Sequence, residues 1–397
     1  MTSEMHSPPR RVALGCGISQ LINWGISFYM PGTFAGAIST QNGWSETLIY
    51  GGLTLAMLMM AALSPFTAAL LTRFGGQRIV VTGTLLLVCG CLVMAQASSE
   101  SLWLSAWVLM GIGMRLSLYD AVFAALVGIY GLSARPTISQ ITLLGGFASV
   151  LFWPFGGSLL QLMSWHNAVL VYAACGLLSA LALCVIPNKK GQRTTQNKRA
   201  RIPSHERPLA ILYAAFVALM TFVSNGTSTH LPQLLASYGL PVTVGMLWGL
   251  GQTGSRGLEI FSGSRLTPVT LALCVSLLIP FCFLLALCGI FSPLTLIGFV
   301  LGYGAVNGLM TIVKATLPLQ LFDRQQYAER TGLLLLPAQL LAAASPYSWA
   351  WLNNHIGGQN TLWLSLSLGL LIALLAFMMN RQLRLLTNNV EPQSSYP

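Results

Sequence analysis

Residues 46–97 read ETLIYGGLTLAMLMMAALSPFTAALLTRFGGQRIVVTGTLLLVCGCLVMAQA: two apolar runs, 46–71 and 78–97, meet at a short break that holds Arg73 and Arg78. A helix needs roughly 20 apolar residues to cross the hydrocarbon of a bilayer, and each run suffices. Similar runs recur along the chain, and the breaks fall where Gly, Pro, Asn, Ser or charge gathers. They mark twelve spans: 12–38, 46–71, 78–97, 102–130, 137–163 and 167–186, then 209–236, 242–260, 267–289, 294–318, 331–352 and 361–380. The weakest pattern belongs to the eighth, short and carrying Arg256 and Glu259, and to the eleventh, interrupted by Pro337 and Pro346. The run that begins at Val12 is too long for a signal-peptide core and reads as a retained first span.

Composition agrees with this reading. Charged residues make up 7% of the chain and hydrophobic ones 54%, with a mean hydropathy of +0.69. A soluble domain carries about 25% charged residues, so this chain lacks the polar cover that water requires. The net charge of +11 could suggest a nucleic-acid partner, but its placement argues otherwise, because the basic residues sit in short breaks rather than on a helix with interleaved aromatics. The eight cysteines all lie in apolar segments, as small buried hydrophobes do. Cys89 and Cys91 are the close pair; two apart on a helix they face different ways, which leaves a metal or metalloid site as the lesser reading.

The basic residues set the orientation. With the N-terminus inside, the cytoplasmic segments hold Arg10, Arg11, Arg73, Arg78, Arg135, Arg265, Arg324, Arg330, Arg381 and Arg384. The loop 187–208 adds Lys189, Lys190, Arg193, Lys198, Arg199, Arg201 and Arg207, and no outer loop carries any. Lys and Arg concentrate on the cytoplasmic side of membrane proteins, so both termini are expected inside. The 187–208 loop also divides two halves that echo each other. Gly111-Ile112-Gly113 answers Gly302-Tyr303-Gly304, Gly76-Gln77-Arg78 answers Gly263-Ser264-Arg265, and Trp153-Pro154 answers Ser345-Pro346. The near-constant offset of about 190 residues marks a six-plus-six duplication, which places a binding site near the bilayer midplane.

Over essentially its whole length the chain resembles the major facilitator superfamily. The stretch from Ala68 to Arg78 is similar to that superfamily's signature loop. It departs at Ala68 and Thr72, where the family carries Gly and Asp, and keeps Arg73, Gly75 and Arg78. The fifth span, with Gly145-Gly146, Trp153-Pro154 and Gly156-Gly157, resembles the family's Gly/Pro-rich fifth helix. Gln20, Trp24-Gly25, Tyr29 and Gly43-Trp44-Ser45 resemble bacterial carriers near the monocarboxylate-porter and arsenite-exporter branches. The stretch from Gly113 to Asp120 is similar to an orphan bacterial group with no settled substrate.

The resemblance implies an all-α integral membrane fold of 12 transmembrane helices in two pseudo-symmetric six-helix bundles. The expected domains are 1–186, a cytoplasmic basic linker 187–208, and 209–397 with a short cytoplasmic tail. It also implies a secondary transporter, working by alternating access and coupled to protons, as a monomer in a bacterial inner membrane. Its partners would be a small-molecule substrate, protons and lipids, with no cofactor and no nucleic acid.

Ionisable groups at membrane depth are costly, about 2.5–3.5 kcal/mol each on insertion scales, so each needs a reason. Asp120 and Glu259 are the acids within spans, and Arg115, Arg256 and Lys314 the bases. Arg256 and Glu259, three apart, can pair as a latch between halves or take part in transport. Arg115 and Asp120, five apart, point about 140° from each other on a continuous helix and are not expected to pair within it. Asp120, the deepest acid, reads either as a proton-coupling site, with Glu259 as the second, or as a structural partner of Arg115 or Lys314. Arg115 either anchors an anionic substrate or neutralises Asp120; Lys314 awaits an interhelical partner or a substrate anion. Gln20, Asn23, Trp24, Tyr119 and Asn307 complete the candidate substrate contacts, with interhelical hydrogen bonds as the competing role. Asn225 adds another polar group, and His230, near the outer end of its span, reads as interfacial rather than metal-binding.

Three buried bases against two acids favour an anionic or neutral substrate over a cationic drug. A solute sensor without turnover and a membrane enzyme are the competing classes. The second lacks any His/Asp/Glu cluster of ligand spacing, and no Gly-x-x-x-x-Gly-Lys-Ser/Thr loop is present to support ATP drive.

Overall fold

The computed structural model describes residues 8–188, 206–261, 266–322 and 334–388. Most of the central linker and the loop residues Arg265, Arg324 and Arg330 lie outside them, so expectations resting on those positions do too. The described residues form helices and turns, with no strand among them. In chain order the first half contains α1 (Arg10–Ile26), α2 (Met30–Asn42), α3 (Glu46–Phe74), α4 (Gly76–Met94), α5 (Glu100–Ser117), α6 (Tyr119–Tyr130), α7 (Arg135–Gly145), α8 (Ala148–Leu162) and α9 (Trp165–Leu183). The second half contains α10 (Arg207–Ser237), α11 (Met246–Phe261), α12 (Pro268–Leu287), α13 (Pro293–Leu321), α14 (Leu336–Ile356) and α15 (Gly358–Asn388).

Nine helical stretches among the described residues are long and apolar enough to cross a membrane. The other three expected spans are helical as well. The first is cut into α1 and α2, of 17 and 13 residues; the eighth is the 16-residue α11, opened by a short 3-10 turn; the eleventh is the proline-bearing α14. Hydroxyl side chains start many of the spans: Ser45, Ser99, Ser164, Thr267 and Ser292 each accept a backbone N–H of the first turn. Glu46 and Glu100, the first residues of α3 and α5, face the positive ends of their helix dipoles.

The chain resolves into two compact units. Unit 1 comprises Met1–Thr195, Ser228–Gly249 and Pro346–Asn354; unit 2 comprises Gln196–Thr227, Leu250–Ser345 and His355–Pro397. Unit 1 therefore holds the first six spans together with one end of α10, the start of the eighth span and most of the second half of α14. Its core is aromatic: Trp103, Trp107, Trp165, Tyr172, Tyr50 and Phe34 are all buried in one cluster. Between α4 and α5 the backbones come close enough that a Cβ on Gly113 would meet the Gly83 carbonyl and Leu87, which is why glycine stands there. In unit 2, Phe283, Phe299 and Tyr303 form a ring cluster with centroids 5.1–5.7 Å apart. Pro346 has no N–H to give the Ala342 carbonyl, and Asn225 Nδ2 donates to that carbonyl at 3.5 Å instead.

Candidate solute site

Three spans of unit 1 break near their middles. Pro31 explains the first break: its ring clashes with the carbonyl four residues earlier, that of Ser27. Ser27 leaves helical geometry (φ −117°, ψ −83°), and its hydroxyl donates to the Asn23 carbonyl at 2.5 Å. The Tyr29 N–H then reaches back five residues to the Trp24 carbonyl at 3.1 Å. On a regular helix Phe28 and Tyr29 would diverge by about 100°; here their rings meet edge to face at 5.3 Å.

The second break has neither proline nor glycine at its hinge. Leu118 is extended (φ −79°, ψ −177°), α5 ends at Ser117, and α6 begins at Tyr119. The Ser117 hydroxyl donates to the Gly113 carbonyl at 2.8 Å, a back-bond that bends helices. The buried Ser117 carbonyl, left without its helical donor, takes the Gln20 amide at 2.8 Å. Gln20 is thus a fully buried support for the break rather than an open solute contact.

This break brings together what the sequence separates. Arg115 Nη1 donates to Asp120 Oδ2 at 2.7 Å, and Arg115 Nε donates to Thr67 Oγ1 of α3 at 3.0 Å. The expectation that Arg115 and Asp120 do not pair is corrected, because it assumed a continuous helix. The idea of Asp120 as a deeply buried acid is corrected too: its side chain is 70% exposed, against 15% for Arg115. A carboxylate open on one side can take and release a proton, and the guanidinium beside it can offer its remaining donors to an anion.

An aromatic ladder runs from this ion pair along the broken spans. Phe123 stacks on Tyr119 at 5.1 Å, Tyr119 meets Trp24 at 5.3 Å, and Trp24 meets Phe28 at 5.6 Å. Tyr29, beside Phe28, then meets Trp153 of α8 at 5.4 Å. The indole N–H groups of Trp24 and Trp153 are buried without an acceptor. The third break, at Gly146-Phe147 between α7 and α8, lies beside the ladder: Tyr119 packs on Gly145 and its hydroxyl donates to the Thr142 carbonyl at 3.4 Å.

The remaining expected residues fall elsewhere. Asn23 is fully buried within the first bundle, accepting from Ser179 Oγ at 2.6 Å and donating to Thr84 Oγ1 at 3.0 Å. In unit 2, Asn307 Oδ1 accepts from Ser224 Oγ at 2.5 Å. Lys314 is half-buried on α13, no described acid pairs with it, and its carbonyl accepts from the Tyr213 hydroxyl at 3.3 Å. Glu259 and Arg256 lie one turn apart on α11, both half-buried. Among the described residues no three His, Cys, Asp or Glu gather as a metal site; Cys91 is buried and Cys89 exposed, on different faces as expected.

One cluster escaped the sequence reading. His230 is buried inside the protein: it is 3% exposed and its ring lies 3.8 Å from that of Tyr50. Its Nδ1 meets Gln233 Oε1 at 2.8 Å and its Nε2 the Pro346 carbonyl at 2.9 Å. The sequence offered a faint signal, since Tyr50 sits one helical turn after Glu46, but nothing local tied either residue to α10 or α14.

The broken apolar spans, the ion pair at one break and the aromatic ladder together make a helical membrane bundle with a polar group within a span. The family model of the Major Facilitator Superfamily matches residues 14–334, and the chain belongs to that superfamily. It is 27% identical over 206 residues to the putative multidrug resistance protein MdtD of Klebsiella pneumoniae (strain 342), covering 52% of this chain and 40% of that one. It is 30% identical over 145 residues to monocarboxylate transporter 3 of Rattus norvegicus, covering 36% of this chain and 28% of the relative. The matched stretch thus spans less than half the length of either relative. Among solved structures, the nucleoside transporter NupG superposes with a TM-score of 0.70 at 13% identity, covering 94% of this chain and 98% of that one. A bacterial homologue of the human lysosomal transporter Spinster, inward-facing and unoccupied, gives 0.69 at 14% identity, covering 95% and 98%. The protein is thus a multi-pass membrane protein of the Major Facilitator type.

Proposed function

We propose that the protein is a secondary active transporter that moves a small organic solute by alternating access, coupled to protons, in a bacterial inner membrane with both termini cytoplasmic. The observation that carries this reading is the Arg115–Asp120 pair, set where a helix breaks and beside the aromatic ladder. Broken helices near the midplane are where carriers of this architecture hold solute and coupling ion. Asp120 serves as the proton-coupling group and Arg115 as the anion partner, with Trp24 and Tyr119 presenting ring faces to the solute. Glu259, Asn307 and Lys314 serve from the second half, Glu259 as the further proton site. The neutral ion pair, with guanidinium donors left over, favours organic anions or neutral solutes over cationic drugs. The limited likeness to a monocarboxylate transporter supports the same class, and that to a multidrug protein leaves the drug class as the arm to test against it.

The test uses protein-only liposomes with a pH-sensitive dye inside, challenged with organic anions, oxyanions and cationic drugs. Solute-dependent proton movement in the wild type that falls at least about tenfold in Asp120→Asn is the expected result, as for an intramembrane acid on a proton path. Unchanged movement in the variant returns Asp120 to a structural role and turns attention to Glu259. Solute binding without proton movement supports the sensor reading instead.

A further inference from the structure

One end of unit 1 carries arginines with no acid to meet them. Arg73 lies in the last turn of α3 and Arg78 in the first turn of α4, with the Gly75-Gly76 turn between them. Gly75 takes φ 91°, and Gly76 sits on Ala125 closer than a Cβ permits, so the turn is tightly set. Both arginine side chains are exposed, and neither has a hydrogen bond or ion pair to another described residue. Arg73 lies 5.2 Å over the Phe74 ring, which leaves the edge donors of its guanidinium open. The described carboxylates of unit 1 are elsewhere: Glu46 begins α3 at the end opposite Arg73, Glu100 follows the far end of α4, and Asp120 is held by Arg115. The helix starts show the same contrast. Ser45, Ser99 and Ser164 cap α3, α5 and α9, whereas no side chain caps α4, whose first turn holds Arg78 and no acid.

Two exposed apolar stripes lead to this end. On α4, Arg78, Thr82, Leu85, Cys89 and Leu92 follow one another at steps of three and four, so they share one face, and all five are exposed. On α9, the exposed Leu170, Leu177 and Leu181 share a face by the same spacing. The two helices pack side by side. Gly176 of α9 sits on Val88 of α4, and the Gln77 amide donates to the Cys184 carbonyl at 2.7 Å, which brings the end of α9 beside Arg78. Both helices are long and apolar enough to cross a membrane, so exposed leucines on them meet lipid tails.

We propose that this surface is a binding site for an anionic phospholipid, with its phosphate held by Arg73 and Arg78 and its tails along the leucine stripes of α4 and α9. A guanidinium fork matches phosphate oxygens, and here two are free of any internal carboxylate. A free phosphate could use the arginines but gains nothing from the leucines. A zwitterionic lipid could use the leucines but brings an ammonium group that the arginines repel. An anionic lipid satisfies both. The inference goes beyond the transport reading and rests on it only for the leaflet, which is the cytoplasmic one in the proposed orientation.

Full-length protein in mild detergent is titrated with phosphatidylglycerol or with phosphatidylcholine of the same acyl chains, and bound lipid is read by native mass spectrometry. The wild type is expected to prefer phosphatidylglycerol, and the preference to fall about fivefold in each of Arg73→Gln and Arg78→Gln, the effect of one basic side chain at an anionic headgroup. Where Arg78→Gln does not fold, Arg78→Lys stands in, with a smaller loss. The double variant Arg10→Gln, Arg11→Gln on α1 should keep the preference, and Leu85→Ser with Leu181→Ser should weaken both lipids alike. Equal binding of the two lipids by the wild type, a preference that both glutamine variants leave unmoved, or the same loss in the α1 variant overturns the proposal. So does displacement of the bound lipid by inorganic phosphate, the mark of a site for a free anion.

Discussion

The two breaks that frame the candidate site are built in opposite ways. The α1–α2 break is written into the covalent chain: Pro31 lacks an N–H and crowds the Ser27 carbonyl, so the helix yields there whatever surrounds it. The α5–α6 break at Leu118 has no such residue. It persists because a partner from another helix, Gln20, supplies the hydrogen bond that Ser117 loses by leaving the helix. The first break shapes the aromatic ladder, the second makes the ion pair. A site can therefore depend on one feature that a residue enforces and another that packing enforces.

Substitutions that separate the two mechanisms sharpen this contrast. The largest effect belongs to Gln20→Leu. It leaves the buried Ser117 carbonyl unsatisfied, about 1–3 kcal/mol, and removes the tertiary reason for the break. A lower melting temperature in detergent should accompany loss of solute-driven proton movement, because Arg115 and Asp120 part when α5 and α6 join. Full stability and activity in this variant would show that the break holds without Gln20. Pro31→Ala should do less. It restores an N–H for the Ser27 carbonyl at a site next to a helix start, shifting stability by about 1 kcal/mol or below, and its mark is a weakened solute affinity with the ion pair intact. Equal damage to affinity and to proton movement would mean that the two breaks act as one. Smallest is Ser117→Ala, which deletes only the back-bond to Gly113, costing about 0.5–1.5 kcal/mol, with proton movement retained.

Much of the architecture was legible in residues. Apolar runs of spanning length, their breaks and the placement of Lys and Arg are properties of short windows, because a lipid environment demands that each span satisfy its own backbone. That is why the twelve spans emerge where the runs lie, and why the weaker eighth and eleventh patterns correspond to the short α11 and the proline-bearing α14. The candidate site was legible only in its parts. Arg115, Asp120, Trp24 and Tyr119 stood out as costly or aromatic groups in spans, but their geometry was misjudged by assuming an unbroken helix. Gln20 and Asn23 stood out for their polarity, and the structure spends both on hydrogen bonds inside the bundle.

By itself the sequence determined that this is a helical membrane protein of repeated spans, and which ionisable residues fall within the apolar runs. Hydropathy and charge act residue by residue along a segment, so a window suffices to read them. Tertiary structure alone decided that Arg115 meets Asp120, that the rings from Phe123 to Trp153 form one ladder, and that His230 lies between Gln233 and the Pro346 carbonyl. Those contacts join atoms that a continuous helix holds apart, or that lie on helices far apart in the chain. Directed hydrogen bonds need both partners in place, and only the packed fold supplies the second.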